Sequence, residues 1–269
     1  MRSERSALPP APPRFAAAGR LLVALGLICV ATSAVWGIPR LAEAPRLDAT
    51  DELQVTPAAV RPGASAPANP SARPVSQAGH GRDPVVEWVD RTASTVDIPA
   101  RALRAYGAVD LVMRSEAPRC RVNWATLAGI GRVESNHGRF GGTVLGADGR
   151  PSRDIVGLPL DGTGNVATIG DTDGGRLDGD ASHDRAVGPM QFIPSTWARW
   201  GSDGDGDGRV DPQDIDDAAL AAGRYLCADG RDVGTARGWW TGILSYNPSV
   251  DYAQRVFGAA DTYARRSLG

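Results

Sequence analysis

Residues 40–84 carry prolines at 45, 57, 62, 67, 70, 74 and 84 and no aromatic side chain. This stretch constrains the chain most, because it cannot bury enough apolar surface to offset the entropy of ordering it. It reads as a semi-extended, disordered linker with no packed core of its own. It leaves two segments to explain. Residues 1–20 are polar, with Arg2, Arg5, Arg14 and Arg20 against a single Glu4, and Leu21 to Pro39 then contains no charged residue. As a helix rising about 1.5 Å per residue, residues 21–39 span roughly 28 Å, close to the hydrocarbon thickness of a bilayer. The preceding arginines place a 1–20 tail in the cytoplasm and everything after the segment outside. A cleaved signal peptide competes with a membrane anchor. Ala42-Glu43-Ala44 is followed by Pro45, a poor cleavage site, and the apolar run is long, so a transmembrane anchor is the preferred expectation. Cys29 has no convincing lipobox before it. Either reading exports the C-terminal part, which remains at the cell membrane if the segment is uncleaved and is secreted if it is cut.

Residues 85–269 form the one domain that can fold, and six of the seven tryptophans lie there. Helical spacing recurs and strand-like alternation is scarce, so the expected class is mainly α. Pro99 opens a helix through Leu103, Tyr106, Asp110 and Met113, and Asn123 caps one through Leu127, Ile130 and Val133 that stops at Gly138. Pro194 opens a short helix through Trp197. Ile215–Cys227 and Thr235–Leu244 follow, and Ser249 caps a last helix carrying Tyr252, Val256, Ala259 and Tyr263. A Gly/Asp-rich stretch over 141–187 is long enough to be functional or to hide short strands. The net charge of −2 argues against a nucleic-acid surface, and with all 29 basic residues arginine, lysine chemistry is excluded. Cys120 and Cys227, the two cysteines outside the apolar segment, suggest one disulfide in an exported domain.

Residues 203–214 read Asp-Gly-Asp-Gly-Asp-Gly-Arg-Val-Asp-Pro-Gln-Asp. Counted from Asp203, carboxylates fall at positions 1, 3, 5, 9 and 12 and glycine at 6, which is EF-hand spacing. Asp203, Asp205 and Asp207 offer three oxygens, the Arg209 carbonyl a fourth, Asp211 one through water, and Asp214 stands where glutamate is usual. A structural calcium ion is expected, and no organic cofactor. A second acidic run, Asp171 to Asp180, lacks this register and reads as a loop bordering a cleft.

Glu134 ends an apolar helix in Gly129-Ile-Gly-Arg-Val-Glu-Ser-Asn-His-Gly138. Partial desolvation there disfavours the charged carboxylate and raises the pKa, as a general acid near neutral pH requires. His137 reads as a loop residue. Glu134-Ser135 is followed by Gly188-Pro-Met-Gln-Phe and then by Ser245-Tyr-Asn247. In these motifs and their order the sequence resembles the lytic transglycosylases, and within them the membrane-bound B-type family. Its signature is a Glu-Ser pair, a Gly-x-Met-Gln segment and a Tyr-Asn pair, with an EF-hand-like loop between the last two. The resemblance covers about residues 95–265.

The resemblance implies a lysozyme-like α+β catalytic domain that acts on peptidoglycan glycan strands. It implies cleavage of the MurNAc-β-1,4-GlcNAc bond to a 1,6-anhydro-muramyl end, with Glu134 as acid and then base. Gln191 would bond sugar or N-acetyl groups, Tyr246 and Asn247 would line the cleft, Ser135 would orient Glu134, and Met190 and Phe192 would form the wall. Trp239 and Trp240 are candidates for stacking on sugar faces, although two adjacent tryptophans on a helix face different ways. Two rivals remain. A lysozyme-type hydrolase needs a second carboxylate, for which Asp178, Asp180 and Asp184 are candidates. A non-catalytic glycan-binding module needs none.

Overall fold

A computed structural model describes Val60, Arg61, Gly63 and residues 84–269 apart from 165. The 1–20 tail, the 21–39 segment and most of the 40–84 linker lie outside the described residues. Among the described residues no helix is long and apolar enough to cross a membrane. Seven α-helices and a two-stranded sheet are present among them: α1 Pro84–Val96, α2 Ala100–Glu116, α3 Trp124–Ser135, β1 Val156–Pro159, β2 Arg185–Val187, α4 Pro194–Trp200, α5 Ile215–Leu226, α6 Ala236–Tyr246 and α7 Val250–Arg266. The mainly α expectation holds.

The capping chemistry is legible residue by residue. Asn123 accepts the Thr126 N–H at 3.0 Å to start α3, Thr235 accepts from Gly238 to start α6, and Ser249 accepts from Tyr252 to start α7. Each side-chain oxygen meets a backbone donor that the helix itself leaves unpaired. Helix α1 is the one that periodicity missed. Its sequence is rich in β-branched residues with weak helix propensity. Packing overrides that preference: Trp88, Val89 and Val96 are buried, and Trp88 sits edge-on to Trp124 at 5.5 Å. Helix α3 stops at Ser135, three residues before the glycine expected to end it, because Asn136 already adopts the left-handed conformation, φ 53°.

Helix α3 runs through the core, packed along α7 and against α2. Glycine sets the close crossing with α7: a Cβ at Gly129 would lie 2.7 Å from the Val256 carbonyl oxygen and 2.9 Å from Ala260 Cβ. The buried Asp110 of α2 accepts from the Trp124 backbone N–H at 3.2 Å and from Arg114 Nε at 2.8 Å, so it fixes where α3 begins. Trp239 and Trp240 pack with each other and with Phe257. Both are buried, so they belong to the core and not to a sugar-stacking surface. Val60, inside the expected linker, is also buried, as part of the same core.

The 141–187 stretch does hide strands. β1 and β2 pair antiparallel, Val156 opposite Val187 and Pro159 opposite Arg185, with isolated bridges Asp161–Thr168 and Gly170–His183 extending the insertion. Its root is stapled to the 203–217 loop region. The Gln213 side chain accepts from the Ile155 N–H at 2.9 Å and donates to the Ile155 carbonyl at 3.1 Å, and Ile215 N–H donates to the Gly149 carbonyl at 3.1 Å.

Cys120 and Cys227 form the expected disulfide, with a sequence separation of 107. It joins the end of the α2–α3 connection to the end of α5. A loop of this length constrains the unfolded chain strongly. Replacing both cysteines by serine is expected to lower unfolding free energy by roughly 2 to 5 kcal/mol, read by guanidinium titration. An unchanged midpoint would remove the disulfide from the stability of the domain.

Candidate active site

Glu134 sits in the last turn of α3, half-buried. The Tyr252 hydroxyl donates to its Oε1 at 2.5 Å. Burial raises the carboxyl to about 7, with the Tyr252 hydrogen bond and the Arg255 guanidinium pulling the other way. The carboxyl therefore holds a proton through much of the neutral range, as the sequence suggested. Tyr252 was read there only as a residue of the last helix. The signal that could have found it is the Ser249 cap: once α7 starts at Val250, Tyr252 lies in its first turn, and the extensive α3–α7 packing brings that turn to the end of α3.

The turn after α3 is built from three consecutive residues in the left-handed region, Asn136, His137 and Gly138, with φ of 53°, 60° and 76°. Ser135 is buried. Its hydroxyl donates to the Pro189 carbonyl at 2.6 Å and accepts from the Gly138 N–H at 2.7 Å. It therefore joins the Glu134 turn to the Gly188-Pro-Met-Gln hairpin and has no free valence aimed at a substrate. Met190 is fully buried, and its backbone carbonyl accepts from the Tyr246 hydroxyl at 2.7 Å. Phe192 is buried too, with ring contacts to Tyr246 and Trp197. Ser135 and Met190 shape the site from behind, and Phe192 reaches the cleft wall.

The hairpin itself depends on Gly188. Its φ is +77°, and a Cβ there would lie 1.7 Å from the Pro212 carbonyl oxygen. Gln191 follows at φ 51°, and its amide nitrogen donates to the Gly188 carbonyl at 2.9 Å. Gln191, Phe192, Ile193, Thr196, Tyr225, Ser245, Tyr246 and, from the insertion, Ile169 line a cleft of about 230 Å³. Burial and the charge of Glu134 both raise Tyr246, so Tyr246 connects the glutamate to the cleft wall. Asn247 ends α6 with an exposed side chain, whose oxygen accepts from the Ser249 N–H at 3.0 Å. It shapes the turn that delivers α7.

The candidates for a second carboxylate bind within their own insertion. Asp178 accepts from the Arg185 N–H at 2.6 Å, Asp180 pairs with the Arg185 guanidinium at 2.8 Å, and the fully buried Asp184 accepts from the backbone and hydroxyl of Thr172.

The acidic loop departs from the expected register. Carboxylate oxygens of Asp203, Asp205 and Asp217 lie within 4.8 Å of one another, as do those of Asp205, Asp214 and Asp216. Asp217, outside the twelve-residue count, replaces Asp214 opposite Asp203. The reason is helix geometry: Asp214 caps α5 by accepting the Asp216 N–H at 2.8 Å, and Asp217 projects from the first turn. Asp211 is held by Arg150, and neither Asp211 nor Asp207 is in these two groups. Asp216 is paired with Arg101. Asp217 is almost fully buried and accepts from the Gly204 and Asp211 backbones at 2.6 and 2.8 Å. Burial, and then the charges of Asp205, Asp203 and Asp207, still raise it to about 7. Carboxylate oxygens gathered this closely are the hard donor set that a hard divalent cation takes.

The described domain is thus helical, with a proton-holding glutamate at the end of α3 and an aromatic cleft lined by Gln191 and Tyr246. Residues 168–240 match the family model described as "Transglycosylase SLT domain". The match includes the Gly188 hairpin and the acidic loop. The domain is similar in structure to the Escherichia coli lytic transglycosylase Slt35 in complex with bulgecin A, at 15% identity, TM-score 0.39, covering 68% of this chain and 79% of that one. A calcium complex of Slt35 gives 15% identity, TM-score 0.37, and 68% and 80% coverage. SltB3 from Pseudomonas aeruginosa, in complex with NAG-anhNAM-pentapeptide, gives 18% identity, TM-score 0.37, and 70% and 68% coverage. A search of curated proteins finds no match.

Since the Tyr252 hydrogen bond favours the carboxylate, removing it should raise the Glu134 pKa. Tyr252→Phe is therefore expected to move the alkaline limb of the pH–rate profile to higher pH while lowering the maximal rate about tenfold. A limb that stays in place would separate Tyr252 from the titration of Glu134.

Proposed function

We propose that this protein is a peptidoglycan lytic transglycosylase that cleaves the MurNAc-β-1,4-GlcNAc bond, with Glu134 as its one acid and base. The observation that carries the reading is the half-buried Glu134 carboxyl, raised to about 7 and hydrogen-bonded by Tyr252, beside a hairpin inside the transglycosylase family match.

The protonated carboxyl gives its proton to the glycosidic oxygen as the C1–O bond breaks, and GlcNAc leaves as an alcohol. The carboxylate then takes the proton of the muramyl C6 hydroxyl as O6 bonds to C1. A 1,6-anhydro ring results, no water is consumed, and Glu134 ends protonated. The muramyl N-acetyl oxygen can hold C1 between the two steps. The Tyr252 hydrogen bond stabilises the intermediate carboxylate, and burial restores the proton affinity that the first step needs. Gln191 and the rim of the aromatic cleft receive the sugar. The hydrolytic rival is less well supported, because Asp178, Asp180 and Asp184 are all engaged inside the insertion.

Peptidoglycan strands are then the partner. The 21–39 segment would hold the domain on the outer face of the cell membrane, at the end of the 40–84 linker. Calcium would sit among Asp203, Asp205 and Asp217, with charge neutralisation of the loop as its chemistry and no step in the reaction.

The cation proposal has a sign that can be checked. Asp217 binds its proton more tightly in the folded chain than at its ordinary 3.8. Metal-free protein should therefore lose stability as pH rises from about 4 toward 7. Calcium should remove that loss and raise the melting temperature at pH 7.5, and Asp217→Asn should abolish the response. A melting temperature indifferent to calcium would end the structural-cation proposal. The reaction itself is read by mass spectrometry of digested muropeptides. Anhydro-muramyl ends are expected from the native chain, and a loss of at least about a thousandfold in rate from Glu134→Gln. Reducing ends would make the protein a hydrolase, and glycan binding with no release would make it a binding module.

A further inference from the structure

His137, three residues beyond Glu134, lies in the turn after α3, but its side chain does not face solvent. It is fully buried. Its backbone is left-handed, and its N–H donates to the Gly131 carbonyl at 2.8 Å, which turns the side chain back beneath α3. There Nδ1 lies 3.2 Å from the Tyr106 hydroxyl of α2, and Nε2 lies 3.0 Å from the Tyr263 hydroxyl of α7. The helix makes room for this bridge: a Cβ at Gly131 would lie 2.0 Å from the Tyr106 oxygen.

The residue type is informative. A phenyl ring would fill the same space but leave the two buried tyrosine hydroxyls without this partner. A neutral imidazole supplies one donor and one acceptor, one for each tyrosine. Burial, with Arg139 and Arg132 nearby, pushes the imidazole down to about 3, so it keeps both roles wherever the domain works. The groups around it are Tyr106 from α2, Tyr263 from α7, Arg132 from α3 and Arg139 from the following turn. Tyr263 shares α7 with Tyr252, the donor to Glu134. The same helix thus grips the end of α3 on both sides of its left-handed turn. Ser135 ties that turn to the hairpin, and His137 ties it to the helices.

We propose that His137 is a positioning residue for Glu134, its bridge between Tyr106 and Tyr263 fixing the turn that holds the carboxyl against Tyr252. The kinetic consequence rests on the reading of Glu134 as the acid; the effect on the carboxyl environment does not. The test uses the full chain with His137→Phe, His137→Gln and Tyr263→Phe. The titration midpoint of the Glu134 carboxyl carbon is followed by NMR, assigned through its loss in Glu134→Gln, beside kcat and KM on solubilised glycan strands. His137→Phe should move the midpoint up, in the direction expected for loss of the Tyr252 hydrogen bond, and lower kcat roughly tenfold, with KM changed less than about twofold. His137→Gln, which keeps a donor and an acceptor, should recover part of both. A lower melting temperature with midpoint and kcat unchanged would overturn the proposal and leave His137 a core residue. If His137→Phe does not fold, Tyr263→Phe, which deletes a single oxygen, is held to the same two criteria. If the native chain releases no muropeptide, the catalytic reading fails while the NMR midpoint still decides the role of His137.

Discussion

The contact on which the structure depends is the close crossing of α3 and α7. Gly129 lets the two backbones approach until Val256 and Ala260 fill the space a side chain would need. With the helices at that distance, a tyrosine in the first turn of α7 reaches a carboxyl in the last turn of α3. The hydrogen bond and the desolvation of Glu134 are two consequences of one packing decision. They oppose each other: burial favours the neutral acid and the hydroxyl favours the anion. On the proposed reading, a group that both gives and takes a proton needs neither form to dominate, and a carboxyl raised to about 7 meets that condition.

The left-handed turn after Ser135 shows how this arrangement resists relaxation. Two of its three residues are not glycine, so the conformation costs free energy locally. It persists because its polar groups are tied to the structure around it. Ser135 Oγ serves the hairpin and Gly138, the His137 N–H serves Gly131, and the imidazole serves two helices. Polar groups with complete partners rigidify a core where incomplete ones would loosen it.

Much of this was legible in the sequence, and the failures have physical causes. Local chemistry was readable: Asn123 and Ser249 cap the helices they were expected to cap, and Cys120 pairs with Cys227. Glu134, Gln191 and Tyr246 come together as the motif order implied. What failed was inference about direction and depth. Ser135 and Met190 support the site from within, because residue type does not say which side of a wall a side chain occupies, whereas Phe192 lines the cleft. Trp239 and Trp240 are both core, since Phe257 from α7 covers the second ring. Asp217 escaped a twelve-residue count because the helix that begins at Asp214 brings back a carboxylate one turn later. Tyr252 and His137 act across sequence separations of 118 and 126 residues, a range over which no local pattern carries information.

The acidic loop and the active site are also one mechanical unit. The Pro212 carbonyl presses against Gly188, where only a glycine fits. The next residues, Pro189 and Met190, offer the carbonyls that receive Ser135 and Tyr246. From the carboxylate cluster to Glu134 the path runs through backbone atoms and two hydroxyls, with no long flexible side chain to absorb a displacement. Repulsion among Asp203, Asp205 and Asp217 would therefore strain the hairpin that carries Gln191 as well as the loop itself. This gives the charge of a bound cation a structural consequence at the cleft wall without any role in the bond-breaking step. It also accounts for why the insertion is rooted there, through Gln213 and Ile155: both walls of the cleft then take their position from the same short stretch of chain.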